Sequence, residues 1–229
     1  MTPANEPLNS CVYTCHFPTG GVKLFRQFAA SFLDYADFLD SAFVRLHMIL
    51  KKLFGRGHKI KVAEKLYTEI VRQARQPVFY LKAAVPDTVD GRFEMISLQA
   101  FLVMRRLKSE DAEAQDLSQA LFDRMFADMD HSIREIGVGD LSVGKRIKAM
   151  AEVFYGRIIA YETALDGGNE DLEVALERNH YGTLDTPPDS FVLGQMADYI
   201  RRNDQMLKSQ TIVDLKKGIV QFADFEAGQ

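Results

Sequence analysis

The 229-residue chain has no Trp, two Cys and seven Pro. Missing Trp decides nothing by itself. Two Cys cannot form the disulfide framework that staples small secreted domains. Seven Pro and fifteen Gly are too few for a collagen-like or low-complexity chain. No run approaches the roughly 20 mainly apolar residues of a membrane-spanning helix. The mainly apolar charge-free stretch at residues 95–104 reaches about half that length. The first 22 residues lack the basic start and apolar core of a secretory signal. These absences predict a cytoplasmic protein with both thiols reduced. Nor is there a strong excess of one charge. A formal net charge of -4 and a pI near 5.8 exclude a general DNA-binding or RNA-binding molecule.

What remains is an ordinary globular composition, 47% hydrophobic and 26% charged. A chain of this length buries about 70% of its unfolded surface and needs no staple. Runs with the period of a strand are weak. Helical stripes are strong. Residues 1–22, with three Pro and an adjacent Gly pair, read as a flexible arm. Over 23–54, Phe25, Phe28, Phe32, Tyr35, Leu39, Phe43, Leu46 and Leu50 recur in steps of three and four. Gly55 and Gly57 stop that helix. A second covers 61–75 and ends at Pro77, since the residue before proline avoids the helical region. Residues 86–91 read as a loop. Helices follow over 93–107 and 117–133. Another starts from an N-cap at Ser142 and runs to Leu165. A short one covers 170–179, and a last long one runs from Pro188, in its first turn, to about Leu207. The fold class is all-α. A single compact multi-helix domain over 60–220 follows an N-terminal helical extension and basic amphipathic segment at 23–59, and 221–229 form a tail.

Chemistry-bearing patterns mostly fail. Cys11-Val12-Tyr13-Thr14-Cys15-His16 has three residues between its cysteines, where haem attachment needs two. His16, His47, His58, His131 and His180 include no pair at i,i+4, so neither a metal nor any other cofactor is expected. Gly137-Val138-Gly139 ahead of Lys145 lacks the preceding strand and the following Lys-Ser/Thr of a phosphate loop, and reads as a tight turn between helices. Asp128-Met129-Asp130 with Arg134-Glu135 is the densest acidic cluster. It reads either as pairing that organises the bend, Asp130 facing Arg134 at i+4, or as a groove for a partner segment. Residues 48–65 carry Lys51, Lys52, Arg56, Lys59, Lys61 and Lys65 against Glu64 alone, beside Ile49, Leu50, Leu53 and Phe54. That suits a solvated helix end, an anionic membrane surface or RNA phosphates.

Several ordered blocks resemble the ubiquinol–cytochrome c chaperone family, in its bacterial branch. They are Gln73-Ala74-Arg75-Gln76-Pro77-Val78-Phe79-Tyr80; Val85-Pro86-Asp87-Thr88-Val89-Asp90-Gly91-Arg92-Phe93-Glu94; and Phe101-Leu102-Val103-Met104-Arg105-Arg106-Leu107. The strongest are Phe126-Ala127-Asp128-Met129-Asp130, Arg134-Glu135-Ile136-Gly137-Val138-Gly139-Asp140, Val143-Gly144-Lys145 and Tyr155-Gly156-Arg157. Together they cover residues 64–182. Ile136 stands where Met is the commoner residue. The resemblance implies a protein without catalytic residues that holds newly made cytochrome b, near the ribosome exit, for assembly into ubiquinol–cytochrome c reductase. It also implies a cytoplasmic or inner-membrane-peripheral place.

On that reading the client-binding surface combines the loop at 85–93 with the bend at 128–145. Phe79, Tyr80 and Phe93 would supply apolar contact. Asp87, Arg92, Asp128, Asp130, Arg134, Glu135, Asp140 and Lys145 would orient the client, since polar residues in loops more often serve function than packing. Lys51, Lys52, Phe54, Arg56 and Lys59 would meet a membrane surface. The rival is a helical enzyme or small-ligand-binding protein using the acidic cluster around Asp128 with Arg92 in a cleft. A permanent structural subunit of the reductase is a further alternative.

Overall fold

The computed structural model describes residues 56–135, 137, 140–168 and 171–226, and every regular element among them is a helix. The arm expected at 1–22 and the helix over 23–54 lie outside the described residues. In chain order the helices are α1 (Arg56–Ala74), α2 (Pro77–Lys82), α3 (Val89–Lys108), α4 (Ala112–Glu135), α5 (Asp140–Leu165), α6 (Leu172–Asn179), α7 (Ser190–Ser209) and α8 (Ile212–Leu215).

The centre is α3, whose residues 93–104 are all buried. A helix apolar around its whole circumference belongs inside, and this one contains the charge-free run 95–104 that is too short to cross a membrane. It packs against α1, α4 and α7, while α4 also lies on α1 and α5, and α6 bridges α5 and α7. The stripe Leu117, Leu121, Met125 and Met129 on α4 is buried as its spacing requires. Phe122 and Phe126 widen it and meet Phe154 of α5 at ring separations of 5.9 and 6.0 Å.

Local chemistry explains where the boundaries depart from the sequence reading. Pro77 opens the short α2 instead of only ending α1, because its fixed φ and missing N–H suit the first helical position. The expected loop at 86–91 closes early. Thr88 caps α3 by accepting from the Gly91 N–H at 3.1 Å, so Gly91 already lies in the first turn, where a Cβ would collide with the Pro86 carbonyl oxygen. Ser142 is no N-cap, since α5 starts at Asp140. Asp189 caps α7 through the Val192 N–H at 2.9 Å, which leaves Pro187 and Pro188 ahead of the helix. Of the segment expected as a tail, residues 221–226 are described, and Phe225 packs on Phe79 and Tyr199 at 5.5 and 5.7 Å. Residues 219–226 form no helix, so they carry no helical period to read.

Several polar groups of α3 find partners across the core, while Glu94 Oε2, Ser97 Oγ and Gln99 Oε1 are buried without one among the described residues. Glu94 accepts from Arg157 of α5 at 2.5 Å, both fully enclosed. Gln99 donates to the Tyr199 hydroxyl at 2.8 Å, and Gln73 of α1 donates to the same hydroxyl at 3.0 Å. Arg106 donates to the Leu207 and Gln210 carbonyls at 2.9 and 3.2 Å.

Two glycine substitutions should separate crowding from helix propensity. Gly91→Ala should cost about 1–3 kcal/mol, the range for overpacking. Gly144→Ala, in α5 with no neighbouring atom within 4 Å, should stabilise by about 1 kcal/mol. Urea unfolding of both variants measures the two signs.

Two enclosed groups give stability a pH signature. Burial pushes the Glu94 carboxyl up to about 8 against the pull of Arg157, and burial pushes His180 down to about 3 with Arg157 adding to the effect. Between 4.5 and 8 the folded chain keeps a proton on Glu94 that the unfolded chain has lost, so stability falls as pH rises. Between 6.5 and 3 the unfolded chain protonates His180 while the folded chain does not, so stability falls as pH drops. The slopes oppose each other where the windows overlap, leaving an alkaline decline from Glu94 above 6.5 and an acid decline from His180 below 4.5. Each slope is at most about 1.4 kcal/mol per pH unit. Urea unfolding at successive pH values should show the alkaline decline, and Glu94→Gln should abolish it. An unchanged slope in that variant would assign the decline to other groups.

Candidate functional site

The loop between α2 and α3 is built from its ends inward. Ala83 and Val85 are buried and both donate their N–H to the Phe79 carbonyl at 3.2 Å. Between them Ala84 is exposed, with φ of +53°. From there the chain runs over the surface to Thr88, the α3 cap. Asp87 and Arg92 pair at 2.7 Å, both exposed, and the Arg92 guanidinium holds the Asp87 carboxyl below the ordinary carboxylate range. Tyr80 is half-buried and donates to the Ala74 carbonyl at 2.9 Å. Burial raises its hydroxyl above the ordinary value, opposed by Arg92 and Arg75.

Phe79 and Phe93 are not on this surface. Phe79 is 0% exposed, edge-on to Tyr199 at 5.1 Å, and Phe93 is 7% exposed. Both expectations of apolar contact with a client are corrected: these rings fill the core beneath the loop. The exposed apolar groups flanking it are Leu81, 76% exposed, and Val89, 66% exposed. Sequence reasoning passed over both. A signal was available for each. Leu81 belongs to an apolar run too dense for a short helix to bury whole, and Val89 stands between polar residues in Asp87-Thr88-Val89-Asp90.

Asp128 is reached through α1. It accepts from the Tyr67 hydroxyl at 2.9 Å and from Arg124 at 3.3 Å. Arg124 also pairs with Glu64 and stands over the Tyr67 ring, 4.9 Å from its centre. Burial, then the Asp128 charge, raises the Tyr67 hydroxyl far above its ordinary value. The Arg75 charge opposes the rise at both Tyr67 and Tyr80. The structure therefore pairs Asp87 with Arg92 on the α2–α3 loop and, on the α1–α4 face, joins Tyr67 and Arg124 to Asp128.

The remaining expected residues pair along their own helix. Asp130 and Arg134 meet at 2.6 Å, and His131 and Glu135 at 3.1 Å. Gly137 turns the chain with φ of +88°. Ile136, Val138, Gly139 and the Asp140 side chain lie outside the described residues, and Lys145 is exposed on α5. Of the expected membrane-facing set, Lys51, Lys52 and Phe54 lie outside the described residues, as does the Arg56 side chain. Lys59 pairs with Asp116 of α4 at 2.6 Å.

Chemically, residues 81–92 offer two exposed apolar side chains and an exposed ion pair. The carboxylates near Asp128 are engaged: Asp123 accepts from Gln119 at 2.8 Å, and Asp128 and Asp130 are bound as above. Among the described residues no three His, Cys, Asp or Glu side chains converge to hold a metal, and no helix is long and apolar enough to cross a membrane. An open depression of about 310 Å³ is lined by Val174, Arg178, Tyr181, Leu184 and Pro187.

Comparison with known proteins puts this arrangement in context. The pattern of the family described as ubiquinol-cytochrome C chaperone matches residues 81–222. Ubiquinol-cytochrome-c reductase complex assembly factor 1 of Xenopus laevis is 25% identical over 158 residues, covering 69% of this chain and 78% of the frog protein. Its Homo sapiens counterpart is 26% identical over 158 residues, covering 69% of this chain but 52% of the human protein. The chain thus spans about half the length of the human relative. A crystal structure of the Cbp3 homolog from Brucella abortus shares the fold with a TM-score of 0.66 at 35% identity, covering 79% of this chain and 97% of that one. With a matched pattern over more than half its length, the chain belongs to the ubiquinol–cytochrome c chaperone family.

Proposed function

We propose that this protein is a non-enzymatic assembly chaperone that binds newly made cytochrome b during biogenesis of ubiquinol–cytochrome c reductase, complex III of the respiratory chain. The observation that carries the reading is the family match over residues 81–222, which takes in both the α2–α3 loop and the bend at 128–145. The relatives named assembly factors support it. A client with membrane-spanning helices exposes large apolar area in water. A holder that later releases it needs a limited apolar contact, and Leu81 and Val89 beside the Asp87–Arg92 pair supply one. Asp128, Asp130, Arg134, Glu135, Asp140 and Lys145 form the polar flank of this proposed surface. The rival reading, catalysis at the acidic cluster, finds its carboxylates tied to Tyr67, Arg124 and Arg134.

Deleting the gene should lower membrane b-type haem and ubiquinol–cytochrome c reductase activity. Complementation with the Leu81→Asp, Val89→Asp double variant should fail to restore them. Both positions are exposed, so each change should alter stability by less than about 0.5 kcal/mol. Normal b-type haem spectra in the clean deletion would sink the reading. Full complementation by the double variant would move the client surface elsewhere.

Residues 48–65 would place the protein peripherally at the inner membrane, with six Lys and Arg against one Glu. Each cation near an anionic surface adds about 1 kcal/mol, screened by salt. Liposome sedimentation should show binding that rises with anionic lipid and falls with salt. Neutralising Lys51, Lys52, Arg56 and Lys59 should weaken it, Lys59 least because Asp116 already holds it. Equal binding by the neutralised variant would remove the membrane role.

A further inference from the structure

Ala84 is the one non-glycine residue in the left-handed region among the described residues, at φ of +53°. There a Cβ crowds the following carbonyl oxygen. Such a conformation persists only where the surroundings hold it, and such residues cluster at functional sites. Ala83 and Val85 are 0% and 3% exposed and share the Phe79 carbonyl as acceptor. The described hydrogen bonds of residues 83–88 stay within residues 79–92, with one exception. The Tyr181 hydroxyl donates to the Ala83 carbonyl at 2.7 Å, across 98 positions of sequence.

Tyr181 is itself rigidly placed. It is 1% exposed and its ring meets His180 edge-on at 4.8 Å. Arg157 donates to the Asn179 carbonyl at 3.2 and 3.3 Å while pairing with Glu94, which fixes the turn at the end of α6 to both α5 and α3. A phenylalanine would fill the same space. The hydroxyl adds one thing, a donor for a buried carbonyl that otherwise goes unpaired.

We propose that Tyr181 is a positioning residue of the client-binding loop: its hydroxyl locks the Ala83–Ala84 backbone, so that Leu81, before the loop, and Val89, after it, are held in a fixed relation. This inference rests on the reading of that loop as the client surface. It adds a residue from α6's far end to a site otherwise made from residues 80–92, and it gives the strain at Ala84 a purpose. A loop held in one shape before binding loses less freedom on capture than one that must be ordered by the client.

The test uses the full chain and separates the lock from the client. Amide exchange is measured in the wild type, in Tyr181→Phe, and in Tyr181→Phe combined with Ala84→Asn, since Asn adopts the left-handed region more readily than Ala. The Ala83 and Val85 amides should exchange about tenfold faster in Tyr181→Phe, the scale of one lost hydrogen bond. Amides of residues 95–104 should keep their wild-type rates. Crosslinking of newly made cytochrome b to a photoreactive residue at Val89 should fall in step. Adding Ala84→Asn should return both readouts toward wild type. Unchanged Ala83 and Val85 exchange overturns the proposal, as does a rise shared equally by 95–104, or a failure of Ala84→Asn to restore protection. A loosened loop with undiminished crosslinking leaves the lock standing and sinks the client-surface reading instead.

Discussion

A helix enclosed on all sides leaves its polar residues no route to water, and α3 carries several. Glu94, Ser97, Gln99 and Arg106 all lie on it and are all buried. An unpaired buried polar group costs about 1–3 kcal/mol, so Glu94, Gln99 and Arg106, which do find partners, restrict where those partners can stand. Glu94 binds Arg157 and so fixes α5. Gln99 shares the Tyr199 hydroxyl with Gln73, which ties α7 and α1 to the same point. Arg106 satisfies carbonyls at the end of α7. Apolar packing alone would let neighbouring helices slide by a turn at small cost. These bonds select one register, a role for which buried polar groups are best attested.

The registered core then decides what reaches the surface. Thr88 and Gly91 begin α3 under the Pro86 carbonyl, so the α2–α3 loop must fold tightly over the helix start. Phe79 and Phe93 anchor the loop from below and cannot also serve a partner. Leu81 is left outside because α2 is a short helix: with Phe79 turned inward to Tyr199 and Phe225, a residue two places on points away. The apolar character of the proposed surface is thus a consequence of how the core is closed, and its polar character comes from the Asp87–Arg92 pair.

The long elements were legible in the sequence because period and burial coincide there. On α4, Leu117, Leu121, Met125 and Met129 repeat every four residues and are buried together. The α2 region was not legible for the opposite reason. In Pro77-Val78-Phe79-Tyr80-Leu81-Lys82 four of six residues are apolar, and a helix of fewer than two turns gives no period from which to tell inside from outside. Burial is the reverse of what the pattern suggests: Phe79 is inside and Leu81 outside. The pairing of Asp130 with Arg134 could be read, being local at i,i+4. The bond from Tyr67 to Asp128 could not, because its partners are 61 positions apart and meet only once α1 lies on α4. The same holds for Tyr181 and Ala83.

Those long-range bonds also bear on how a holder of this kind can release its client. Surface ion pairs such as Asp87–Arg92 contribute about 0–1 kcal/mol to stability and are screened by salt, so little is lost when a client's charges exchange with them. The rigid parts, Tyr181 on Ala83 and Tyr67 on Asp128, lie below or beside the exposed groups and need not break on capture. On the proposed reading the energy of holding then comes from a few apolar side chains over a shape already set by the core. At about 25 cal/mol per Å² of apolar area buried, a patch the size of Leu81 and Val89 gives contact that competes with water yet yields to the larger apolar surface of an assembling membrane complex.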